Sequence, residues 1–534
     1  MKNRTRRISG SRFCSLCCAA GLSVAATARA ADGVWLKTSY AGNWSDAANW
    51  VGGTAASGAG FSASFTNSAT VTVNQNVPGL TLGGLFFANG TYAVTNGAII
   101  LDNGASPAVA TVGIRAADAT RATLAVPLNG AGGLTKLGPG HLDLTAPAPG
   151  ALDGPLTVKA GTLTATAANG APFGTGRVLL TGGALAAMPA GNGQDVELAL
   201  ASGHATNTFT YGAGASTLRF AKGANTGLTL TLGNAGAGAG SVLARAGNGV
   251  LSVAPTNGIA NLGASERLLV SGGVPTHHGM TDASIAGLDN DGRDSGSFLT
   301  YDGADGFAAA SYTDGLGGGT NSPADITTDT ATASAQVYAL RVNGKTLTVN
   351  SGQTLTVGDG TRPAGVMLNS TLSTRAVITG GVLDFGSSEG IIYFNRMCGD
   401  GNSRGTISST LSGSGGITFA GLSPYTDIRL TPPTGGNPYT GGTRILSGRV
   451  MFSSGNAFGS GDITVRGHEG WGGQIVIGAP ITLTNTLRLA SFRGYPETHQ
   501  FAVMLGAIRI MGTTSSGTVL SGPIELLDTS CITL

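Results

Sequence analysis

Cysteine is scarce in this sequence: 534 residues contain only five. Cys14, Cys17 and Cys18 lie in an N-terminal stretch that we expect to be removed from the mature protein. The other two, Cys398 and Cys531, stand far apart, and a disulfide between them would have to bridge many coils of the repetitive fold derived below. We therefore expect both to be unpaired, and a mature fold that does not depend on disulfides.

Basic charge is also scarce once that stretch is set aside. The first 30 residues hold six of the 30 Lys and Arg residues and none of the 28 Asp and Glu residues, so the remainder carries 24 basic and 28 acidic residues, a net charge of −4. Nucleic-acid binding calls for a basic patch or stripe. The charge balance therefore argues against a nucleic-acid partner.

Histidine is too sparse and too scattered to indicate a metal centre. The six histidines form no ligand set of recognisable spacing, and the doublet His277-His278 is more typical of a turn than of a metal ligand. We therefore expect no metal and no cofactor.

Glycine, in contrast, is abundant: the chain has 89, well over twice the usual share of roughly 7%. Each glycine in a helix interior costs roughly 1 kcal/mol relative to alanine, which excludes long amphipathic helices. Disorder is another common reason for such a composition, but Leu, Val and Ile recur in alternation throughout, as half-buried strands require. The composition predicts an all-β protein.

The first 30 residues have the pattern of a cleavable signal peptide. Five basic residues precede a small-residue, mostly apolar segment at 13–28, and Ala28-Arg29-Ala30 fits the small-x-small rule, so we expect cleavage between Ala30 and Ala31. The apolar run is shorter than the ~20 residues that a transmembrane helix needs. A twin-arginine route through Arg6-Arg7 and a lipoprotein site at Cys17 are alternatives. We expect an exported protein whose mature chain has no transmembrane helix.

Two stretches share one turn-and-strand pattern. Residues 132–165 read GGLTKLGPGHLDLTAPAPGALDGPLTVKAGTLTA, and residues 415–452 read GGITFAGLSPYTDIRLTPPTGGNPYTGGTRILSGRVMF. In each, Gly-Gly opens a short apolar alternation, a second alternation and a Pro/Gly turn follow, and a third alternation closes the unit. Short strands at this spacing would also suit a sandwich or a barrel. Direct reiteration, as in TLTV at 346–349 and again at 354–357, favours a parallel β-helix.

Both stretches resemble the autotransporter-associated β-strand repeat, whose consensus is close to GGLTKxGxGTLTL, then NTYTGGT, then AGTL. The first stretch keeps the opening and the close but has lost the Tyr-Thr-Gly-Gly element at 151–155. The second keeps that element at 437–443 and has a weaker opening. The clear matches cover under a fifth of the chain. The residues that carry the resemblance are Gly132, Gly133, Leu134, Thr135, Lys136, Gly161, Thr162, Leu163, Tyr439, Thr440, Gly441, Gly442 and Thr443.

The resemblance implies a right-handed parallel β-helix, a β-solenoid of glycine-rich repeats, carried to the bacterial cell surface or beyond. It implies a non-enzymatic passenger with an adhesin-like or structural role and no catalytic residues. Its partners would be the export machinery and, on the outside, surface glycans or neighbouring cells. In such proteins a membrane β-barrel follows the passenger, and none is visible before Leu534. We therefore expect the sequence to continue beyond that residue.

We divide the chain into five parts. They are a signal peptide (1–30), a Trp-rich N-terminal cap (31–62), a β-solenoid with the first full repeat (63–186), an irregular β region with acidic loops (187–340) and a β-solenoid with the second full repeat (341–534). At ~20–25 residues per coil and ~4.8 Å per coil, the mature chain would form about twenty coils in one rod on the order of 100 Å long.

Two of these parts invite a functional interpretation. Trp35, Trp44 and Trp50 suit a cap over the first coil, and the alternative is an aromatic platform that stacks on sugars. In the irregular region, DNDGRD at 289–294 resembles the start of a calcium loop. The alternative there is a polar turn whose Asp side chains bond to their own backbone.

A polysaccharide lyase or glycosidase is the alternative function, since the parallel β-helix also hosts such enzymes. A glycosidase needs two carboxylates ~5–9.5 Å apart. The candidates are Asp384 with Glu389, and His468-Glu469 near Trp471. Isolated polar groups on turns are the simpler interpretation of each.

Overall fold

The structure is a computed structural model of the 534-residue chain. It describes residues 30–37, 41–68, 70–88, 90–104, 110–115, 121–146, 150, 152–203, 208–234, 240–289, 295–371, 373–395, 404–423, 426–468, 471–491, 506–511, 517–528, 530 and 532–533. Cys398 and Cys531 lie outside the described residues.

Strands dominate the described residues, and the only helical segments there are short 3-10 turns, Ala47–Asn49, Val51–Gly53, Ile259–Asn261 and Gly319–Asn321. The prediction of an all-β protein is confirmed. The first 26 strands are β1 (Gly33–Trp35), β2 (Gly42–Asn43), β3 (Gly58–Phe65), β4 (Thr70–Asn74), β5 (Thr81–Ala88), β6 (Thr91–Thr95), β7 (Ile99–Leu101), β8 (Ala110–Arg115), β9 (Arg121–Ala125), β10 (Leu128–Asn129), β11 (Leu134–Leu137), β12 (His141–Leu144), β13 (Leu156–Val158), β14 (Thr162–Ala167), β15 (Val178–Leu180), β16 (Ala184–Pro189), β17 (Val196–Leu200), β18 (Phe209–Tyr211), β19 (Ala215–Phe220), β20 (Leu228–Leu232), β21 (Leu243–Arg245), β22 (Val250–Pro255), β23 (Glu266–Val270), β24 (Ile285–Asp289), β25 (Ser295–Asp302) and β26 (Gly306–Ala309).

The remaining strands follow from residue 313 onward. They are β27 (Thr313–Asp314), β28 (Pro323–Ile326), β29 (Thr330–Thr332), β30 (Ala335–Val337), β31 (Ala339–Asn343), β32 (Thr346–Val357), β33 (Ala364–Asn369), β34 (Val377–Asp384), β35 (Gly390–Phe394), β36 (Gly405–Ile407), β37 (Thr410–Ser412), β38 (Ile417–Gly421), β39 (Asp427–Leu430), β40 (Thr443–Ser447), β41 (Arg449–Phe452), β42 (Ile463–His468), β43 (Trp471–Gly472), β44 (Gln474–Ile477), β45 (Thr482–Leu483), β46 (Leu487–Ala490), β47 (Ile508–Ile510), β48 (Val519–Leu520), β49 (Ile524–Leu526) and β50 (Ile532–Thr533).

The strands up to β26, which we call the first stack, form two long sheets and a separate three-stranded parallel sheet, β17-β20-β23. Sheet 1 has the order β1-β3-β5-β8-β11-β13-β15-β18-β21, and sheet 2 the order β2-β4-β6-β9-β12-β14-β16-β19-β22-β24-β25-β26. Neighbouring strands pair in parallel until β24, after which β24, β25 and β26 are antiparallel. The strands from β27 onward, the second stack, form sheet 3 (β27-β28-β31-β33-β35-β38-β40-β42-β46-β49) and sheet 4 (β29-β32-β34-β36-β39-β41-β44-β47-β50).

The core of each stack consists of columns of apolar side chains that come from successive coils. In sheet 2, Leu142 pairs with Leu163 and Leu163 pairs with Leu185, about one coil of chain apart each time, and all three are fully buried. In sheet 3, Ile392 pairs with Phe419, which pairs with Ile445. Burying each such side chain contributes roughly 1.5–3 kcal/mol. Parallel sheets with this register are consistent with a β-helix.

The prediction of one continuous rod is wrong. The two stacks lie side by side. The outer face of sheet 2 packs on the outer face of sheet 3, and we call this interface the seam. Strand β25 contacts β33, whereas the earlier strand β19 contacts the later strand β42, so the second stack runs back along the first. The apolar residues buried in the seam include Val250, Ala286, Leu288, Phe298, Met367, Ile391, Tyr393, Leu422 and Leu446.

The physical reason for the difference lies in strands that are apolar on both faces. All five residues of β35, sequence GIIYF, are buried, and so are all six of β33, sequence AGVMLN. A parallel strand covered on both faces has no polar alternation. Ile392 and Phe394 face the core of the second stack, and Ile391 and Tyr393 face the seam.

Candidate functional site

The lysine of the first repeat stretch lies inside the stack. Lys136 on β11 is fully buried, and its Nζ donates to the carbonyl oxygens of Leu137 at 2.9 Å, Gly138 at 2.7 Å and Ala160 at 3.1 Å. Burial lowers the pKa of this amine to about 7. The side chain therefore joins the turn of its own coil to the turn of the next coil.

The glycines of the same stretch stand where two coils approach closely. Gly161 has φ +68°, and a Cβ there would lie 2.4 Å from the carbonyl oxygen of Gly140 and 2.7 Å from Lys136 Nζ. Gly133 has φ +81°, and its Cβ would lie 2.1 Å from the carbonyl oxygen of Pro155. Only glycine combines this backbone conformation with this spacing. Gly161 and Lys136 thus form one unit.

The other motif residues of the stretch 132–165 take part in the parallel strand pairing. Leu134 pairs with Leu156 and Thr135 with Thr157 in sheet 1, while Thr162 and Leu163 pair with Ala184 and Leu185 in sheet 2. Gly132 forms the turn before β11. The side chains of Leu134 and Leu163 face the core.

In the second stretch, 415–452, buried aromatic side chains stand where the first stretch has its buried lysine. By its place in the motif, Phe419 corresponds to Lys136, and it is fully buried. Tyr439 is also buried, its hydroxyl lies 2.6 Å from Thr443 Oγ1, and burial raises its pKa to about 12. Thr440 N donates to the carbonyl oxygen of Gly413 at 2.9 Å in the preceding coil. Gly441 and Gly442 follow with φ +80° and +84°.

The tryptophans at the start of the first stack are buried. Trp35, Trp44 and Trp50 are at most 1% exposed, and their rings pack edge to face with centroids 5.1 Å and 5.0 Å apart. Trp44 Nε1 donates to the carbonyl oxygen of Ala56 at 2.9 Å, and Trp50 Nε1 to that of Trp44 at 2.7 Å. No ring face is available to a sugar, so the platform interpretation fails. The burial agrees with a cap.

The expected cleavage point lies at the first described residues. Ala30 is exposed, and Ala31 forms an antiparallel bridge with Ser57 through hydrogen bonds of 2.8 Å and 3.0 Å. Cleavage between Ala30 and Ala31 would leave this bridge at the mature N-terminus. The cleavage site stays a prediction.

The two carboxylates of the proposed pair stand beside different sheets and have separate hydrogen-bond partners. Asp384, at the end of β34 in sheet 4, accepts hydrogen bonds from Ser412 Oγ and from Gly386 N at 3.2 Å. Glu389, just before β35 in sheet 3, accepts hydrogen bonds from Arg245 Nη2 at 2.9 Å and from Thr418 Oγ1. Each carboxylate is held by its own partners.

The remaining candidates give no site among the described residues. His468 pairs with Trp471 across the antiparallel strands β42 and β43, and Glu469 lies outside the described residues. Residues 290–294 of the proposed calcium loop also lie outside them. His277 bridges to Met280 in a turn, and the His278 ring packs on Tyr338 with centroids 4.7 Å apart. The described residues contain no group of three His, Cys, Asp or Glu that could hold a metal ion.

Sequence reasoning missed the polar contacts that cross the seam. Arg245 of the first stack and Glu389 of the second form an ion pair whose side chains are only 18% and 9% exposed. The Tyr393 hydroxyl donates to the carbonyl oxygen of Ala283 at 2.8 Å, and burial raises its pKa well above the usual value. Asn369 Nδ2 donates to the Gly296 carbonyl at 2.9 Å and its Oδ1 accepts from Gly296 N at 3.0 Å. These bonds fix the register between the stacks.

A second missed feature is a buried charge cluster on sheet 4. Asp427 is fully buried and accepts two hydrogen bonds from Arg449, 2.6 Å from Nε and 2.8 Å from Nη2. Arg404 Nε lies 3.3 Å from the same carboxylate. A bidentate arginine pair of this kind satisfies a buried carboxylate. The only sequence signal is the placement of Arg449 and Asp427 at paired positions of neighbouring strands.

No helix within the described ranges is both long enough and apolar enough to cross a bilayer. Comparison of the chain with protein-family models, with curated proteins and with solved structures found no match.

Proposed function

We propose that this chain is a non-enzymatic, exported passenger protein, a right-handed β-solenoid folded back on itself, with a structural or adhesin-like role at the bacterial cell surface. The observation that carries the proposal is the coil-by-coil register in which Leu142, Leu163 and Leu185 stack in one column. Supporting it are the signal-peptide pattern of the first 30 residues and the two stretches that resemble the autotransporter-associated repeat.

The geometry of the repeat residues fits a role in holding coils together. Contacts between successive coils involve Lys136, Gly161 and Tyr439. The Lys136 amine donates to three backbone carbonyl oxygens, and the Tyr439 hydroxyl lies within hydrogen-bond distance of Thr443. A stack of coils satisfies its backbone groups everywhere except at its ends. Such a molecule is a stable, elongated support outside the cell.

The partners of the two candidate carboxylates favour a non-enzymatic role. A general acid needs a carboxyl group free to give up a proton, and Glu389 instead faces the guanidinium of Arg245. Asp384 is hydrogen bonded to Ser412 and to backbone. Incubation of the purified protein with a panel of polysaccharides should release no new reducing ends. Cleavage that is abolished in Glu389→Gln would overturn this part of the proposal.

Export is tested by expressing the whole chain in a Gram-negative host and fractionating the cells. We expect protein outside the cytoplasm whose N-terminal residue, by mass spectrometry, is Ala31. The matched control is Ala30→Phe, which breaks the small-x-small rule and should leave the leader attached. Unprocessed wild-type protein that stays in the cytoplasm would contradict the proposed export.

A further inference from the structure

One row of outward-facing residues crosses the later coils of sheet 3. In register, Thr418 pairs with Arg444, Arg444 with Thr464, Thr464 with Arg488, and Arg488 with Glu525. Ile391, which pairs with Thr418 in the preceding coil, is buried in the seam. The outer face of sheet 3 thus changes from apolar to polar and charged along the stack.

A surface pocket of about 370 Å³ lies on this row. Its side chains are those of Arg444, Asp462, Thr464 and Arg488, and glycines of two neighbouring turns complete it. The glycines are Gly441, Gly442 and Gly461, and Thr443 also lines the pocket. The Tyr-Thr-Gly-Gly turn of the second repeat stretch therefore forms one wall of the pocket.

Arg444 lacks an acceptor among the described residues. Its Nη1 is buried without a hydrogen-bond partner, and no ion pair or hydrogen bond of its guanidinium occurs in that part of the chain. A buried donor with no acceptor is costly, and charged donors are the most costly. Arg444 is therefore poised to bind an anion supplied from outside.

Arg488 has partners that an incoming ligand can replace. Its side chain lies 3.3 Å from Asp462 and 3.1 Å from Glu525, and all three are 43–48% exposed. Exposed pairs of this kind contribute little, about 0–1 kcal/mol. A ligand carboxylate can therefore compete for Arg488, and Asp462 then becomes free to accept hydrogen bonds.

The spacing of these groups suits a polymer. Arg444 and Arg488 are two strands apart, so their backbones are about 10 Å apart along the stack. Thr464 lies between them, and no hydrogen bond of its hydroxyl occurs among the described residues. The row alternates cation, hydroxyl and cation, with a carboxylate beside it. Carboxylates would meet the guanidinium groups, and hydroxyl groups would meet Thr464 and Asp462. Asp462 repels a doubly charged phosphate more strongly than a singly charged carboxylate, which favours the carboxylate.

We propose that this row binds an acidic polysaccharide, a glycan whose sugars carry carboxylates, with its chain running along the stack. Arg444 and Arg488 bind the carboxylates of two sugars that flank a third, each through the forked geometry that guanidinium offers to a carboxylate. Thr464 and Asp462 bind hydroxyl groups of the sugar between them. The site binds without chemistry, and it does not depend on whether the chain is exported.

The test is calorimetric titration of the folded chain from residue 31 onward with an oligogalacturonate, in parallel with its methyl-esterified, uncharged counterpart. Binding of the charged oligomer alone is expected, weakening as salt rises. Arg444→Gln should weaken binding by about tenfold or more, because one charge-assisted contact is lost. The matched control is Arg429→Gln, an exposed arginine on sheet 4 that lies outside the pocket. It should change the affinity less than twofold.

Arg488→Gln provides a second variant at a half-exposed position, where misfolding is not expected, and circular dichroism verifies the fold of each variant. Equal affinity of wild type, Arg444→Gln and Arg488→Gln would overturn the proposed site. Equal binding of the esterified oligomer, or tighter binding of polyphosphate than of oligogalacturonate, would overturn the assignment to carboxylate-bearing sugars.

Discussion

Arg245 and Glu389, 144 positions apart in the chain, form a 2.9 Å ion pair that joins the two stacks. Arg245 ends β21 in sheet 1, and its Nε also donates to the carbonyl oxygen of Gly249 at 2.8 Å. Burial lowers the pKa of the guanidinium, but Glu389, Asp282 and Tyr211 together more than offset this, so its pKa is raised overall. The Arg245 guanidinium therefore remains charged at any pH at which the protein is folded.

Removing one member of this pair should destabilise the seam. Glu389→Ala leaves the guanidinium of Arg245 mostly buried without its carboxylate, at a cost of about 2–4 kcal/mol. Thermal unfolding followed by circular dichroism should show a lower midpoint.

The matched control for that variant is Asp305→Asn. Asp305 forms an exposed 3.4 Å pair with Arg267, whose loss should cost less than about 1 kcal/mol. Equal midpoints for the two variants would mean that the seam pair contributes no more than a surface pair.

Lys136 should give the protein a pH dependence of stability above neutrality. Its pKa is about 7 in the folded chain and near 10.5 in an unfolded one, because burial disfavours the ammonium form. Between these values the unfolded state binds more protons, so stability rises with pH from about 7 to about 10.5. The thermal midpoint of wild type relative to Lys136→Met should therefore rise between pH 7 and pH 10.

The comparison with Lys136→Met removes the contributions of other titrating groups, which the two proteins share. Tyrosines such as Tyr439 have raised pKa values and act above this range. A constant difference between the two midpoints across the range would show that Lys136 keeps an ordinary pKa.

The glycine beside Lys136 should be more sensitive to substitution than a glycine with the same conformation in open space. Gly161→Ala brings a methyl group to 2.4 Å from the carbonyl oxygen of Gly140, in addition to the strain of φ +68°. Gly170→Ala has the strain alone, since φ is +83° and no atom lies within 4 Å of the new Cβ. The strain costs roughly 1–2 kcal/mol in each, and overpacking adds about 1–3 kcal/mol in Gly161→Ala.

The difference between these two variants is the quantity to measure, by denaturant or thermal unfolding of each. If Gly170→Ala and Gly161→Ala lowered the free energy of unfolding equally, the coils at Gly161 would have to separate without loss of stability. That result would contradict a close contact between Gly161 and Lys136.

A charge in the core of one coil should unravel the structure locally. Ile445→Asp places a carboxylate in the column formed by Phe419, Ile445 and Val465. The stability of stacked coils is a sum of coil and neighbour terms, so damage remains close to the mutation. Hydrogen exchange should accelerate in β38, β40 and β42 and stay slow in β4 and β6. Loss of the β signal from the entire chain would contradict a solenoid.

The sequence indicated the strands well where the pattern is local, although the two TLTV segments at 346–349 and 354–357 lie in one strand, β32, and do not stack on each other. Leu142 and Leu163 recur at one-coil spacing with polar residues between them, and the structure pairs them as expected of parallel strands. Both Lys136 and Gly161 belong to the repeat motif, so the sequence also indicated that these two positions are important. It could not indicate that the amine reaches three carbonyl oxygens, because Ala160 lies on the next coil.

The seam could not be predicted from local sequence patterns. Its contacts join residues such as Tyr393 and Ala283 that are 110 positions apart, and nothing in the sequence fixes which coil lies beside which. The run GIIYF at 390–394 did carry a signal, since a strand without polar residues is covered on both faces.

The seam also determines how the molecule would respond to mechanical tension. Because the second stack runs back along the first, a force that separates β1 of the first stack from β49 of the second would open the seam row by row, instead of shearing every row at once. Arg245–Glu389, Tyr393–Ala283 and Asn369–Gly296 would then break in sequence, at a lower force than coils pulled along their axis. The protein would thus lengthen first by opening the seam, before its coils unfold.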